Sequence, residues 1–249
     1  VSLTCDDFLD GQLSLWQPAK GYRAGIDPVL LAACVPAKPG QSVLELGSGV
    51  GTAILCLGHR VNDLVLSAVE LQLDYADLAK RNAEKNNQSL AVHIADIANL
   101  PGDLRQQQFD HVLMNPPYYD RTKSTRSSDD GRDTALGGET PLETWIDVAA
   151  KRLVPKGYLS LIQRMDRLPD VLAAIQDRLG SVEVLPLAPR TGRRADLFLL
   201  RARKGGRAAF VLHAPLILHE GAVHQQDGES YREDIRKILR NGAALRWPD

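Results

Sequence analysis

The sequence predicts an α/β fold: a doubly wound, mostly parallel sheet of seven strands with an antiparallel last strand. Three features predict it. From Ser42 onward, short apolar runs alternate with stretches of helical periodicity, the pattern of strands wrapped by helices on both faces. The first run closes on a glycine-rich turn, a strand-to-helix connection. The last two runs, 182–187 and 197–200, are joined by a short Pro/Arg/Gly segment. Parallel neighbours need a crossover of roughly a dozen residues or more, so this pair is antiparallel.

Residues 1–27 precede the alternating pattern as an N-terminal segment, and 28–249 form the main domain. Within the segment, Gly21-Tyr-Arg-Ala-Gly25 reads as an extended piece, either a turn into a packing helix or a cover over a ligand mouth. Asp27 then stands at a helix N-cap, with Pro28 at the first helical position. Ser42–Leu46 is the first strand, followed by Gly47-Ser-Gly-Val-Gly51 and a helix from Thr52 to about Arg60. Residues 65–69 make a second strand ending on Glu70. Tyr75, Ala76, Leu78, Ala79 and Ala83 then recur at helical spacing over 72–87. The third strand, 91–95, ends at Asp96, and the fourth, 111–114, runs into Asn115-Pro-Pro-Tyr118. Segment 119–140 is dense in Arg, Asp, Ser, Thr and Gly and reads as the least structured. Leu142, Trp145, Ile146, Ala149, Ala150 and Leu153 share a helix face. A strand at 158–162 and a helix at 171–179 follow. The tail holds apolar segments at 208–212 and 216–218 and a helix over about 231–240.

Composition bounds the function. Among 249 residues, 44% are apolar, which excludes disorder, and 20 Gly with 14 Pro exclude a collagen-like or low-complexity chain. Thirty basic against 31 acidic residues leave a formal charge of −1, so any nucleic-acid partner must be held by local patches. Cys5, Cys34 and Cys56 lack the spacing of a zinc or redox site and sit in or beside apolar runs, as packed thiols do. His93, His111, His213, His219 and His224 show no metal-ligand spacing, so no metal is expected. No basic-then-apolar leader opens the chain, and the longest apolar stretch, 29–37, is too short to span a bilayer. A cytoplasmic protein with no membrane partner and no obligate protein partner is the expectation.

Two motifs carry chemistry. Gly47-x-Gly49-x-Gly51 allows a tight turn and lets a ligand press against bare backbone at a helix N-terminus. Its third glycine comes one residue too early for the nicotinamide fingerprint. Glu70, 19 residues beyond Gly51, ends a strand where an acid can hold the two hydroxyls of a ribose. Asp96 ends the next, placed to meet an exocyclic amine. In Asn115-Pro-Pro-Tyr118, two prolines fix a rigid turn and remove two backbone donors. The Pro116 carbonyl and the Asn115 amide oxygen are left as acceptors, with Tyr118 as a flat face beside them. Pro117 completes the rigid turn. Such a set suits a planar group bearing NH2: adenine, cytosine, guanine or a carboxamide.

VLELGSGVG, Glu70, Asp96 and NPPY in this order resemble a Rossmann-like class I S-adenosylmethionine-dependent methyltransferase of the amino-methylating kind. More narrowly, the chain resembles the bacterial tRNA (adenine-N6)-methyltransferases that modify the adenine beside the anticodon of a valine tRNA. GYRAGIDPVLLAA (21–33), PRTGRRADLFLLRARKGG (189–206) and YREDIRKIL (231–239) carry that narrower likeness. Ile26, Glu45 and Val50 depart from the family's commoner Thr, Asp and Asn.

The resemblance implies S-adenosylmethionine as methyl donor and tRNA as substrate. Arg23, Asp27, Glu45, Gly47, Ser48, Gly49, Gly51, Glu70, Leu71, Asp96, Ile97 and Asn115 are the expected cofactor contacts, and Asn115 to Tyr118 the catalytic set. RNA would be met by Arg121, Lys123 and Arg126 after NPPY and by Arg190, Arg193, Arg194, Lys204 and Arg207. Three alternatives stay open: N-methylation of a protein glutamine, of another RNA base such as an rRNA guanine, or a non-catalytic RNA-binding module of the same fold.

Overall fold

A computed structural model describes residues 2–117, 140–221 and 230–248. A β1(Leu3–Phe8), β2(Leu13–Pro18) hairpin opens the chain, paired antiparallel from Leu3 opposite Pro18 to Phe8 opposite Leu13. Helix α1(Asp27–Cys34) leads to β3(Ser42–Leu46), α2(Thr52–Arg60), β4(Val65–Glu70), α3(Leu73–Lys85) and β5(Leu90–Ile94). After α4(Gly102–Gln106) come β6(Phe109–Met114), α5(Leu142–Arg152), β7(Leu153–Arg164), α6(Leu168–Ile175), β8(Gly180–Ala188) and β9(Leu197–Arg203). Two short strands, β10(Val211–Leu212) and β11(Leu216–Ile217), and α7(Glu233–Asn241) complete it.

The sheet runs β10-β8-β9-β7-β6-β3-β4-β5, with β11 also on β8. Strands β3 to β8 are mutually parallel wherever they pair directly, and β9 is antiparallel to both β7 and β8. The seven expected strands are present, the last of them reversed. The count rises to nine because the tail's apolar segments each add two residues, parallel, to the outer edge of β8.

Alternation along β3 divides the core. Val43 faces a cluster with Leu30, Leu31, Ile54, Leu55 and Ile235 under α1, α2 and α7, while Leu44 and Leu46 face Leu104, Trp145, Ile146 and Val171 under α4, α5 and α6. The sheet is thus covered on both faces, as parallel strands require. The hairpin is attached by polar groups instead. Asn82 of α3, fully buried, accepts from the Trp16 N–H (2.7 Å) and donates to the Trp16 carbonyl (3.1 Å). One turn later Asn86 does the same for the Ser14 N–H (3.1 Å) and carbonyl (3.0 Å). Two side-chain amides on one helix face stand in for a neighbouring strand.

Two local expectations are corrected. Ile26, not Asp27, is the N-cap of α1, so Asp27 lies in the first turn, where its charge complements the helix dipole. Cys34 and Cys56 are buried free thiols, but Cys5 is exposed because it lies on the outward face of β1.

Candidate functional site

Strand order reverses between β3, whose chain continues towards β4, and β6 on its other side. In open α/β sheets a ligand binds outside the carboxyl ends of the strands at such a switch point. Leu46 lies opposite both Met114 and Val69, so Gly47 and Asn115 leave adjacent strand ends. Glu70 ends β4 opposite Ile94 of β5, with Asp96 just beyond. The register brings the glycine turn, Glu70, Asp96 and Asn115 to one edge.

The glycine turn is held from behind. Gly47 and Ser48 N–H both donate to the Val69 carbonyl, at 2.8 and 3.0 Å, and Asn82 Nδ2 donates to the Val50 carbonyl at 3.0 Å. Glu70 accepts the Gly49 N–H on Oε2 (2.8 Å) and the Gln72 N–H on Oε1 (2.9 Å). Glu45 accepts the Ile54 N–H (3.1 Å) inside the first turn of α2. Gly47 has φ +67°, and a Cβ there would lie 2.5 Å from Cη2 of the buried Trp145 indole. Only glycine fits.

Both carboxyls are perturbed by burial. Glu45 is raised well above the usual carboxylate range by desolvation, against the Ile54 N–H and with a further push from the charge of Glu70. Glu70 is also raised by burial, opposed by the backbone N–H groups of Gln72, Gly49 and Leu71. Such carboxyls favour a cation placed beside them, which would draw both back towards ionisation. Tyr22 completes this face. A Cβ on Gly49 would be 3.8 Å from its Cε1, and its hydroxyl is raised by burial and then by the charges of Asp27 and Glu45. Tyr22, within the extended piece 21–25, therefore lies against the glycine turn.

Three buried side-chain oxygens of this edge have no hydrogen-bond partner among the described residues: Ser48 Oγ, Thr52 Oγ1 and Asn115 Oδ1. Unpaired buried acceptors and hydroxyls are costly; three around one turn fit a polar ligand. The Pro116 carbonyl, by contrast, already accepts a hydrogen bond from Gln163 Nε2 of β7 (3.1 Å), a side chain 1% exposed. Asp96 Oδ1 accepts the Ala98 N–H (2.8 Å) and lies 3.3 Å from Thr140 Oγ1. Leu71 is exposed beside Glu70, and Ile97 is buried behind Asp96.

Other expected contacts are elsewhere. Arg23 points back to the hairpin, paired with Asp6 (2.7 Å) and donating to Thr4 Oγ1 (2.8 Å). The basic stretch divides. Leu197 lies opposite Arg164, at the site end of β7, and Arg203 opposite Tyr158 near the other end. Arg190, Arg193 and Arg194 therefore belong to the site edge. Lys204 and Arg207 lie past the far end of β9, about 20 Å away along the strand, and Lys204 Nζ is bound to the Leu153 carbonyl (2.6 Å). Arg190 is held by the Glu220 carbonyl and by Ser230 Oγ (2.9 Å), whereas Arg193 and Arg194 are exposed. Tyr118, Arg121, Lys123 and Arg126 lie outside the described residues. Sequence reading did not name Tyr22, Thr52, Asn82, Trp145 or Gln163 as site residues; only Tyr22, inside the glycine-bracketed piece, and Thr52, directly after the glycine turn, carried a positional signal.

Residues 24–187 match the family model described as methyltransferase small domain. The chain is 32% identical over 196 residues to a tRNA1(Val) (adenine(37)-N6)-methyltransferase of Porphyromonas gingivalis, covering 73% of this chain and 76% of the relative. A solved structure from Agrobacterium tumefaciens, described as a predicted O-methyltransferase, is similar with a TM-score of 0.71 and 29% identity, covering 88% of this chain and 98% of that one. A Thermus thermophilus 16S rRNA methyltransferase solved with AdoMet and guanosine shares the fold, with a TM-score of 0.56 at 19% identity over 82% of this chain and 50% of that one. Among the described residues no helix is long and apolar enough to cross a membrane.

Proposed function

Because the chain belongs to the methyltransferase small domain family, we propose that it methylates the exocyclic N6 of an adenine in tRNA with S-adenosylmethionine as donor. The observation that carries the reading is the unpaired, buried Asn115 Oδ1 at the switch point, one strand over from the glycine turn. The substrate class rests on the likeness to the tRNA1(Val) (adenine(37)-N6)-methyltransferase of Porphyromonas gingivalis.

In this reading Glu70 holds the ribose, the turn from Gly47 to Gly51 with Ser48 and Glu45 the methionine part, and Asp96 with Leu71 and Ile97 the adenine. The N-terminal segment covers this mouth through Tyr22. When bound, S-adenosylmethionine supplies an electrophilic methyl carbon whose leaving group departs as a neutral thioether. The chain's own residues do the rest. An adenine N6 is a poor nucleophile because its lone pair is shared with the ring. Asn115 Oδ1 and the free lone pair of the Pro116 carbonyl accept the two N–H bonds, which turns the nitrogen lone pair out of conjugation. No ionised base is required, because the N–H becomes acidic only once the methylated nitrogen carries a positive charge, and the proton is then lost to solvent water. Tyr118 stacks on the base, worth roughly 1–3 kcal/mol against the cost of unstacking it. Acceleration comes from alignment and fixed dipoles.

The test is Asn115→Ala. Cofactor affinity measured by calorimetry stays within about twofold, while turnover on tRNA falls on the order of 10²–10³, the loss for removing one positioned polar group. Near-wild-type turnover would show the amide role to be wrong. Nucleoside mass spectrometry of tRNA, with and without the protein, identifies the base.

A further inference from the structure

The prolines that make the turn rigid also leave positions 116 and 117 without a backbone N–H to tie them to the sheet. The β6–β7 ladder ends at Met114 opposite Leu161. Beyond it the backbone of Pro116 can be held to the sheet only through its carbonyl. Gln163 lies two residues past the last ladder pair, still inside β7 where it pairs with Phe198 of β9, and is 1% exposed. Its Oε1 accepts the Arg164 N–H at 2.8 Å, and its Nε2 donates to the Pro116 carbonyl at 3.1 Å. Those two contacts decide the amide's orientation, since the flipped amide would set oxygen against oxygen and N–H against N–H.

We propose that Gln163 is a positioning residue for methyl transfer: its side-chain amide occupies one lone pair of the Pro116 carbonyl and thereby aims the other at the substrate amine. This rests on the proposed amine-methylating reading. A carbonyl oxygen has two lone pairs, so the contact leaves one for substrate. It also removes the freedom of the turn to rotate, where misplacement on the order of 1 Å costs about a hundredfold in rate.

The experiment compares Gln163→Met, which keeps volume but donates nothing, with Gln163→Glu, which donates to Pro116 only when its carboxyl carries a proton. Turnover on tRNA and cofactor affinity are measured across pH and divided by the wild-type values, which removes the titration of Glu45 and Glu70. The expected result for Gln163→Met is a kcat about tenfold or more lower with cofactor affinity unchanged. For Gln163→Glu, relative kcat is near wild type at low pH and falls as the introduced carboxyl ionises. A pH-independent ratio overturns the proposal, as does a Met variant with wild-type kcat. If Gln163→Met does not fold, the ratio of the Glu variant to wild type across pH carries the same decision. A readout independent of turnover is the carbon-13 resonance of the Pro116 carbonyl, which titrates in Gln163→Glu and is constant over that range in the wild type. If the wild type transfers no methyl to adenine in tRNA, the substrate reading fails alone, and this resonance still supports or overturns the role of Gln163.

Discussion

Gly47→Ala tests the packing of the site most directly. The backbone there sits at φ +67°, where an L-residue costs roughly 1–2 kcal/mol. A new methyl would also stand 2.5 and 2.9 Å from Cη2 and Cζ3 of Trp145. That ring is 8% exposed and packed in the cluster with Leu44, Val69 and Ile146, so it cannot simply swing away, and overpacking of this kind costs about 1–3 kcal/mol more. The expected destabilisation is about 2–5 kcal/mol, measured as a shift in the urea midpoint at constant slope. The two contributions separate in a cycle with Trp145→Leu, which removes both ring carbons at its own cost. In that background Gly47→Ala should lose only the backbone part, giving a favourable coupling of about 1–3 kcal/mol. Additivity within about 0.5 kcal/mol would refute the steric argument, because the indole would not then be what excludes a side chain from the turn.

Two further perturbations probe charge. His111 is buried between the Gln41 amide (2.9 Å) and the Tyr158 ring, and burial lowers it from 6.5 to about 4. Between those values the unfolded chain binds a proton that the folded protein does not, so stability falls as pH drops through this window. The loss approaches about 3 kcal/mol. Urea titrations of His111→Gln at pH values inside and above the window should show most of that slope gone; an unchanged slope would assign it to another group. At the sheet edge, Arg193→Ala with Arg194→Ala should weaken tRNA binding and reduce the slope of log K against log salt by about 1.5–2. Arg207→Ala, at the far end of β9, should leave that slope unchanged, and equal effects from both ends would overturn the assignment of tRNA contact to the site edge.

The parallel strands were legible because burial on both faces makes them continuous apolar runs, as in Ser42–Leu46, which is buried from Val43 to Leu46. The hairpin was not. Its first strand, LTCDDF, alternates between half-buried and exposed residues, and what docks the second strand is a pair of asparagines, one on α3 and one at its C-cap, whose spacing says nothing about what they bind. Gln163 was illegible for a similar reason: a lone amide in a strand acquires meaning only from the register that sets it beside Pro116. The division of the basic stretch was available but not drawn. The short connection after 182–187 already required a reversed last strand, and a reversed strand of seven residues necessarily sends its flanking arginines to opposite ends of the sheet.

The site edge combines a glycine turn tied through its backbone with three untied side-chain oxygens. The N–H groups of Gly47, Ser48 and Gly49 and the carbonyl of Val50 are all bonded to Val69, Glu70 or Asn82, and Asn82 is the residue that also carries β2. The turn's shape is thus set by the fold, and through Asn82 it is linked to the hairpin. Ser48 Oγ, Thr52 Oγ1 and Asn115 Oδ1, in contrast, are buried without partners. An unmade hydrogen bond of this kind costs about 1–3 kcal/mol per group, and a fold selected only for stability would have replaced these side chains with apolar ones. In the proposed reading, holding them costs folding energy that ligand binding recovers, and because the backbone behind them is held, little of it goes to rearrangement. A turn anchored in this way would select a ligand by the geometry of its donors, which is the demand that positioning an electrophilic carbon against a weakly nucleophilic amine makes of a protein.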